Sequence, residues 1–242
     1  VLATRIVPVL LKRGSALVKG ERFDAWRNVG VALQAAKIHA ARHVDELCIL
    51  DIGATPESRG PDFDAIKELT RDCFCPLTVG GGVRSVDDVR KLLAAGADKI
   101  AIGAASVSTP KLILEASQRF GKQAIVAIVD YDRIGNVTRR TNVVSWCMEM
   151  QYWGAGEILL QSIDRDGRMC GYDIITIGDV SRAVNIPVVA CGGCSGAPDM
   201  LAAVRAGASA CAAGALFQFS DTTPLQCAQY LLQNDVEARI PA

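Results

Sequence analysis

LTVGGGVRSVDDVRKLLAAGADKIAIGAAS, residues 77–106, aligns without a gap to VVACGGCSGAPDMLAAVRAGASACAAGALF, residues 188–217, at an offset of 111 residues (188 minus 77). Each copy reads as a short apolar strand, a Gly-Gly corner, an amphipathic helix, a Gly-Ala turn and a second strand that ends on glycine. Gly81, Gly82, Asp88, Gly96, Ala97 and Gly103 fall on Gly192, Gly193, Asp199, Gly207, Ala208 and Gly214, and Glu46 falls on Glu157 at the same offset. A unit repeated once in this way marks two halves of similar build, with boundaries near 1–120 and 121–242.

Working outward from the repeat, short β-branched runs alternate with segments of helical period along the whole chain. Strands are predicted at 5–11, 46–51, 77–81, 98–103, 123–130, 157–162, 187–191 and 209–213. Helices are predicted at 29–43, 62–73, 85–95, 109–120, 144–153, 172–183, 196–206 and 223–233. Eight strand–helix units in one α/β domain spanning 1–242 predict a (β/α)8 TIM barrel built from two half-barrels. An approximate twofold axis then makes the first and fifth strands partners. Leu11, read as the last residue of the first strand, occupies the place that Asp130 occupies on the fifth.

Composition narrows the function. The chain carries 26 basic and 26 acidic residues, so it lacks the basic excess of a nucleic-acid binder. Its apolar runs are too short to span a bilayer and its first residues do not read as a signal peptide, which predicts a cytoplasmic protein away from membranes. Nine cysteines, an odd number, argue for free thiols rather than a disulfide framework. Cys191-Gly-Gly-Cys194 has redox or half-zinc spacing without a second pair to complete it, and Cys73 and Cys75 are only two apart, so no metal and no cofactor are expected. The two histidines, His39 and His43, are read as one solvated helix face.

In this fold the chemistry lies at the C-terminal ends of the strands. Those ends carry Leu11, Asp51, Gly81 and Gly82, Gly103, Asp130, the run Ser162-Ile-Asp-Arg-Asp-Gly167, Cys191 to Gly193, and Gly214. The two symmetric glycine loops, Gly82 with Gly103 and Gly193 with Gly214, suit the close approach of backbone amides to phosphate, which predicts a phosphorylated ligand with two anionic ends. Asp130 is the candidate acid or base, its alternative role being a cap before a Gly135-Asn136 hairpin. One of Asp164 and Asp166 is expected to pair with Arg165 or cap its loop. Lys19 and Gly20 are assigned to a long, mobile loop after the first strand. At the opposite strand ends Arg5, Glu46, Lys99 and Glu157 form a charge ring, which on the residues alone reads as a stabilising ion-pair cluster.

RIVPVLLKRGSALVKG (5–20), DELCILDIGA (45–54), PLTVGGGVRS (76–85), GADKIAIG (96–103), GAGEILLQSIDRDGRMCGYD (154–173) and IPVVACGGCSG (186–196), in this order, resemble the HisF family, the cyclase subunit of imidazole glycerol phosphate synthase. The resemblance implies a barrel that takes ammonia from a separate HisH-like glutaminase docked at its bottom and passes it to a bisphosphorylated substrate at its top. Arg5, Glu46, Lys99 and Glu157 then match the family's ammonia gate. Asp98 and Gln123 match its partner interface, and Lys19, Asp51, Gly82, Asp166, Gly167 and Gly193 its ligand-binding positions. Of the family's two catalytic aspartates, Asp130 matches one and Leu11 stands at the other. Gly103-Ala104 replaces a usual Asn-Thr, Gln161 a threonine, and Cys191 and Ala215 serines. Leucine at this strand end is similar to a HisF-like branch that works with a glutaminase and a sugar-amidating enzyme on acetamidino sugars of surface polysaccharides or flagella.

Overall fold

The computed structural model describes residues 3–42, 44–132 and 142–240. Eight parallel strands close a barrel: β1 (Arg5–Arg13), β4 (Leu47–Asp51), β5 (Leu77–Gly80), β6 (Lys99–Ile102), β7 (Ile125–Tyr131), β8 (Glu157–Ser162), β9 (Val188–Cys191) and β10 (Ala210–Ala213). Closure is made by β10 against β1, with Arg5 opposite Ala210 and Pro8 opposite Ala213. Between β1 and β4 the chain adds an antiparallel hairpin, β2 (Ala16–Glu21) and β3 (Asp24–Val31), whose first strand pairs with the end of β1.

Around the barrel lie α1 (Ala32–Ala41), α2 (Phe63–Thr70), α3 (Val86–Ala94), α4 (Ala104–Ser108), α5 (Lys111–Phe120), α6 (Val143–Tyr152), α7 (Ile174–Ala183), α8 (Ala197–Arg205), α9 (Ala215–Phe219) and α10 (Pro224–Gln233). Among the described residues no helix is long and apolar enough to cross a membrane. The apolar residues form two cores. The larger fills the space between strands and helices. A smaller one lines the barrel interior with Val7, Val9, Cys48, Ala101, Val126, Leu159, Val189, Cys191, Ala210 and Ala212. Alternation along each strand sends successive side chains to opposite faces and so feeds both cores.

The strand register fixes the symmetry that the repeat suggests. Leu11 pairs with Leu50 across β1 and β4, and Asp130 pairs with Gln161 across β7 and β8. Leu50 and Gln161 are themselves repeat partners at the 111-residue offset, so Leu11 and Asp130 stand at equivalent points of the two halves. The paired aspartates of the repeat also do the same work. Asp88 accepts the Arg84 and Ser85 amides at 3.0 Å each, and Asp199 accepts the Ser195 amide at 2.7 Å, each turning a glycine corner into a helix start.

Three expectations are corrected. Residues 16–31 are not a mobile loop followed by a helix from 29: they form the β2–β3 hairpin, and α1 begins at Ala32. β3 has the burial of a solvated ribbon, mostly exposed on both faces, so it lacks the alternation by which strands are recognised. Leu11 is not terminal in its strand, because pairing with β2 extends β1 to Arg13. His39 is buried rather than solvated, packed edge-on against Phe217 at 6.3 Å, and burial, with Arg42 and Lys19 nearby, pushes its pKa down to about 4. His43 and the Gly135-Asn136 turn lie outside the described residues.

Candidate functional site

The C-terminal ends of the strands open on a cavity of about 360 Å³, lined by Leu11, Lys19, Asp51, Gly82, Gly103, Asp130, Asp166, Gly167, Gly193 and Gly214. The barrel mouth thus brings together the acid candidate and every position assigned to ligand binding. Phe23, Trp26 and Met169 complete the rim and were missed in the sequence, because the first two arrive on the hairpin. The volume suits a small ligand.

Asp130, one residue before the end of β7, lines the cavity, and its carboxyl is pushed up to about 7, first by burial and then by the neighbouring Asp166. A carboxyl that titrates near neutrality serves as either acid or base. Asp166 is raised as well, by burial, against the opposing pull of Lys19, a hydrogen bond from Gln161 Nε2 at 3.0 Å and the Gly167 amide. It therefore does not pair with Arg165, which donates to the Cys170 and Gly171 carbonyls at 3.2 and 3.1 Å, while Asp164 pairs with Arg22 at 2.7 Å.

Lys19 enters the cavity from β2, buried, with its amine donating to the Val9 carbonyl at 3.2 Å. Burial lowers its pKa, and Asp166 acts in the other direction. A Cβ on Gly214 would fall 2.0 Å from Lys19 Nζ, so this glycine is needed for the room it leaves rather than for its backbone angle. Gly214→Ala is therefore expected to expel the amine toward solvent and to return its pKa upward toward the ordinary lysine value. A lysine-selective NMR titration of the two proteins checks this. At the Gly-Gly corners the backbone requirement is direct: Gly81 and Gly192 have φ of 111° and 91°, and a Cβ there would meet the Asp51 and Ser162 carbonyls at 2.3 and 2.6 Å.

Asp51 faces the cavity, yet its carboxylate is already occupied. Arg59 binds both oxygens at 2.8 Å, Lys12 lies at 3.4 Å and the Gly53 amide donates at 3.1 Å. Lys12 reaches further to Asp62, the N-cap of α2, at 2.6 Å. The spacing of these residues in the sequence carries no sign of this cluster.

At the other end of the barrel the four charged residues meet. Arg5 pairs with both Glu46 and Glu157, and Lys99 reaches Glu46 at 2.9 Å and Glu157 at 2.8 Å. Arg5 on β1 and Glu157 on β8 belong to strands that are not neighbours, as do Lys99 on β6 and Glu157, so the side chains cross the barrel interior to touch. Thr78 adds a hydrogen bond to Glu46 at 2.5 Å. Burial pushes the Glu46 carboxyl up, but Lys99 and Arg5 outweigh it and hold it below the usual range. Asp98 and Gln123 are exposed beside this end, and Asp98 also accepts the Leu77 amide at 2.8 Å.

Cys191 and Cys194 remain separate free thiols. Cys191 faces the barrel interior, and Cys194 donates to the Gly196 carbonyl at 3.6 Å. Their spacing reflects a strand end followed by a glycine corner.

The profile of the family described as "Histidine biosynthesis protein" matches residues 5–223. The chain is also 39% identical, over 251 aligned positions covering 99% of it and 100% of the relative, to the "Imidazole glycerol phosphate synthase subunit HisF" of Hydrogenobaculum sp. (strain Y04AAS1). Identity at that level over the full length of both chains, on a closed parallel barrel with this mouth, leaves one assignment: the chain belongs to the HisF family of histidine biosynthesis proteins.

Proposed function

We propose that this barrel takes ammonia from a HisH-like glutaminase at its charged end and supplies it to an amidation at its glycine-rich end, on an acetamidino-type sugar of a surface polysaccharide or flagellum, rather than closing an imidazole ring. The observation that carries the reading is Leu11. It stands where symmetry puts the counterpart of Asp130, and leucine cannot exchange a proton, while the four-residue gate is complete.

The route is supported by the chemistry of the barrel interior. Past the gate the lining is apolar, with Ala101, Ala210 and Ala212 beside valines, Leu159 and the thiols of Cys48 and Cys191. Ammonium entering such a lining loses water without gaining a counter-ion, a cost of several kcal/mol, whereas neutral ammonia does not carry that cost. The two carboxylates at the entrance are already paired with Arg5 and Lys99, so they offer ammonium no free counter-charge. At the mouth, Lys19 and the amides at the Gly82, Gly103, Gly193 and Gly214 corners hold the phosphorylated ligand, and Asp130 moves the proton.

Purified protein given ammonium salt and the bisphosphorylated aminoimidazole substrate of the family tests the reading. Robust ring closure would overturn it. Transfer of label from amide-labelled glutamine to a sugar, with the glutaminase and sugar-amidating enzyme present, would support it. Glutaminase stimulation without any label transfer would leave the chain a scaffold. One observation favours the cyclase alternative: Asp166 shares the cavity with Asp130 and provides a second titratable group there.

Asp130→Asn is expected to lower transfer by ~10²–10⁴-fold under either reading. It also has a stability signature. Because the folded carboxyl titrates above its unfolded value, the ionised group destabilises the fold increasingly as pH rises from about 4 to about 7. The asparagine variant is therefore expected to exceed the natural chain by ~1–4 kcal/mol at pH 8, and the gap should shrink as pH falls through that window. Urea denaturation at pH 8 and pH 5 measures it.

A further inference from the structure

Outside the barrel mouth and the gate, a reactive cluster among the described residues that neither uses is Cys73-Phe74-Cys75, in the segment that enters β5. Phe74 projects outward, 90% exposed, and the flanking cysteines point together into the protein, Cys73 buried and Cys75 half-buried. Their sulfurs stand 3.4 Å apart. A disulfide needs ~2.05 Å, so closure asks for a shift of little more than an ångström.

The backbone on either side is held. Upstream, the Asp72 amide donates to the Leu69 carbonyl at 3.1 Å. Downstream, the Pro76 carbonyl accepts the Leu47 amide at 2.9 Å and the Leu77 amide donates to Asp98 at 2.8 Å. The two sulfurs are thereby kept together, and the high effective concentration of one thiol at the other favours ring closure over a stable mixed disulfide.

The remaining thiols are poor competitors. Cys48, Cys147, Cys191, Cys194, Cys211 and Cys227 are buried, and burial raises each of them, which suppresses the thiolate. Cys170 is exposed but is not paired with another sulfur. Cys73, though buried, is lowered, chiefly by the hydrogen bond between its sulfur and Cys75, which raises Cys75 in turn.

We propose that Cys73 and Cys75 are a dithiol oxidation site that closes to an intramolecular disulfide by exchange with a low-molecular-weight disulfide of the glutathione class. The Cys73 thiolate attacks one sulfur of glutathione disulfide, forming a mixed disulfide and releasing one glutathione thiolate. The Cys75 sulfur, losing its proton to that thiolate or to water, then attacks the Cys73 sulfur and expels the second glutathione. Two protein sulfurs are oxidised by two electrons, and one glutathione disulfide is reduced to two glutathione thiols. The new ring ends three residues before Thr78, whose hydroxyl holds Glu46 of the gate.

Trypsin provides a clean readout, because cleavage after Arg71 and Arg84 leaves residues 72–84 with Cys73, Cys75 and no other cysteine. The folded full chain is equilibrated in glutathione redox buffers, alkylated, digested and weighed. The expected product is this peptide lighter by two hydrogen atoms and free of glutathione, at ratios where Cys170 gains at most a glutathione adduct. Persistent full alkylation of 72–84, or a stable glutathione adduct on it, would overturn the proposal. In Cys75→Ser the exchange should stop at the mixed disulfide, with glutathione retained on Cys73. Absence of that adduct would equally overturn it, since Cys73 would not be the attacking thiol.

Discussion

Leu11→Asp is expected to raise ring closure from ammonium salt and the bisphosphorylated aminoimidazole substrate by ~10²–10⁴-fold over the natural chain, the range that one positioned acid or base contributes. The new carboxyl would project into the cavity from β1 at the point equivalent to Asp130 on β7. Two opposed proton transfers would then have two titratable groups on opposite halves of the barrel. A third carboxyl near Asp130 and Asp166 also raises the pKa values of all three through like-charge repulsion, so the optimum should move toward higher pH as activity appears. The substitution has a structural cost: Leu11 packs on the inner core beside Leu50 and Ile128, and placing a polar group there loses ~1–3 kcal/mol. Leu11→Asn separates the effects, since it shares the polarity but not the proton, and should stay inactive. If Leu11→Asp folds and shows no gain, the deficit lies in the rest of the cavity, where Gly103, Gln161 and Ala215 replace the hydroxyl and amide side chains that the family resemblance implies.

The second large effect is expected at the gate. Lys99→Ala should leave glutamine hydrolysis by the partner running while transfer of its nitrogen falls. Lys99 is shared by two carboxylates that are almost fully buried, Glu46 at 6% and Glu157 at 7% side-chain exposure. Removing it leaves Arg5 alone to compensate two negative charges, and breaking a buried pair costs ~3–5 kcal/mol. Among the charges acting on Glu46, Lys99 is the largest, ahead of Arg5. The carboxyl in the variant is therefore raised. A depressed folded pKa stabilises above the unfolded value and is lost as pH falls through the folded one, so the variant should lose stability at a higher pH than the natural chain. Amide-labelled glutamine and urea titrations at pH 7 and pH 4 report the two consequences separately. Lys99→Arg, which keeps the charge, should recover stability and at least part of the coupling. Unchanged coupling in Lys99→Ala would mean that the ring only holds the strands together.

The register explains why so much of the site was legible. A glycine corner or a strand-end carboxylate is local: Gly81 and Gly192 are required by positive φ within one strand–turn–helix unit, a demand that the carbonyl of the preceding strand packed against each then reinforces. The repeat doubled that signal. Its strand end puts Asp51 at the mouth and the family resemblance makes it a ligand position; it does line the cavity, but Arg59 and Lys12 occupy its oxygens from a loop and a neighbouring strand. No local pattern announces a bidentate guanidinium eight residues away.

By itself the sequence determined the eight strand–helix units, their twofold repeat and the glycine corners, and so placed Asp130 and Leu11 at one end of the strands and Arg5, Glu46, Lys99 and Glu157 at the other, because hydrophobic period and backbone sterics operate over a few neighbouring residues. Only the tertiary structure decided that 16–31 would pair as a hairpin on β1, that Lys19 would be drawn into the cavity beside Gly214, that His39 would lose its water, and that Cys73 and Cys75 would face one another. Lys19 and His39 depend on Gly214 and Phe217, brought from the far end of the chain by barrel closure, whereas the hairpin and the facing thiols are near-neighbour geometries that residue type and period do not encode. A solvated strand such as β3 carries no apolar alternation of its own, and it exists because β2 supplies the hydrogen bonds it would otherwise make to water.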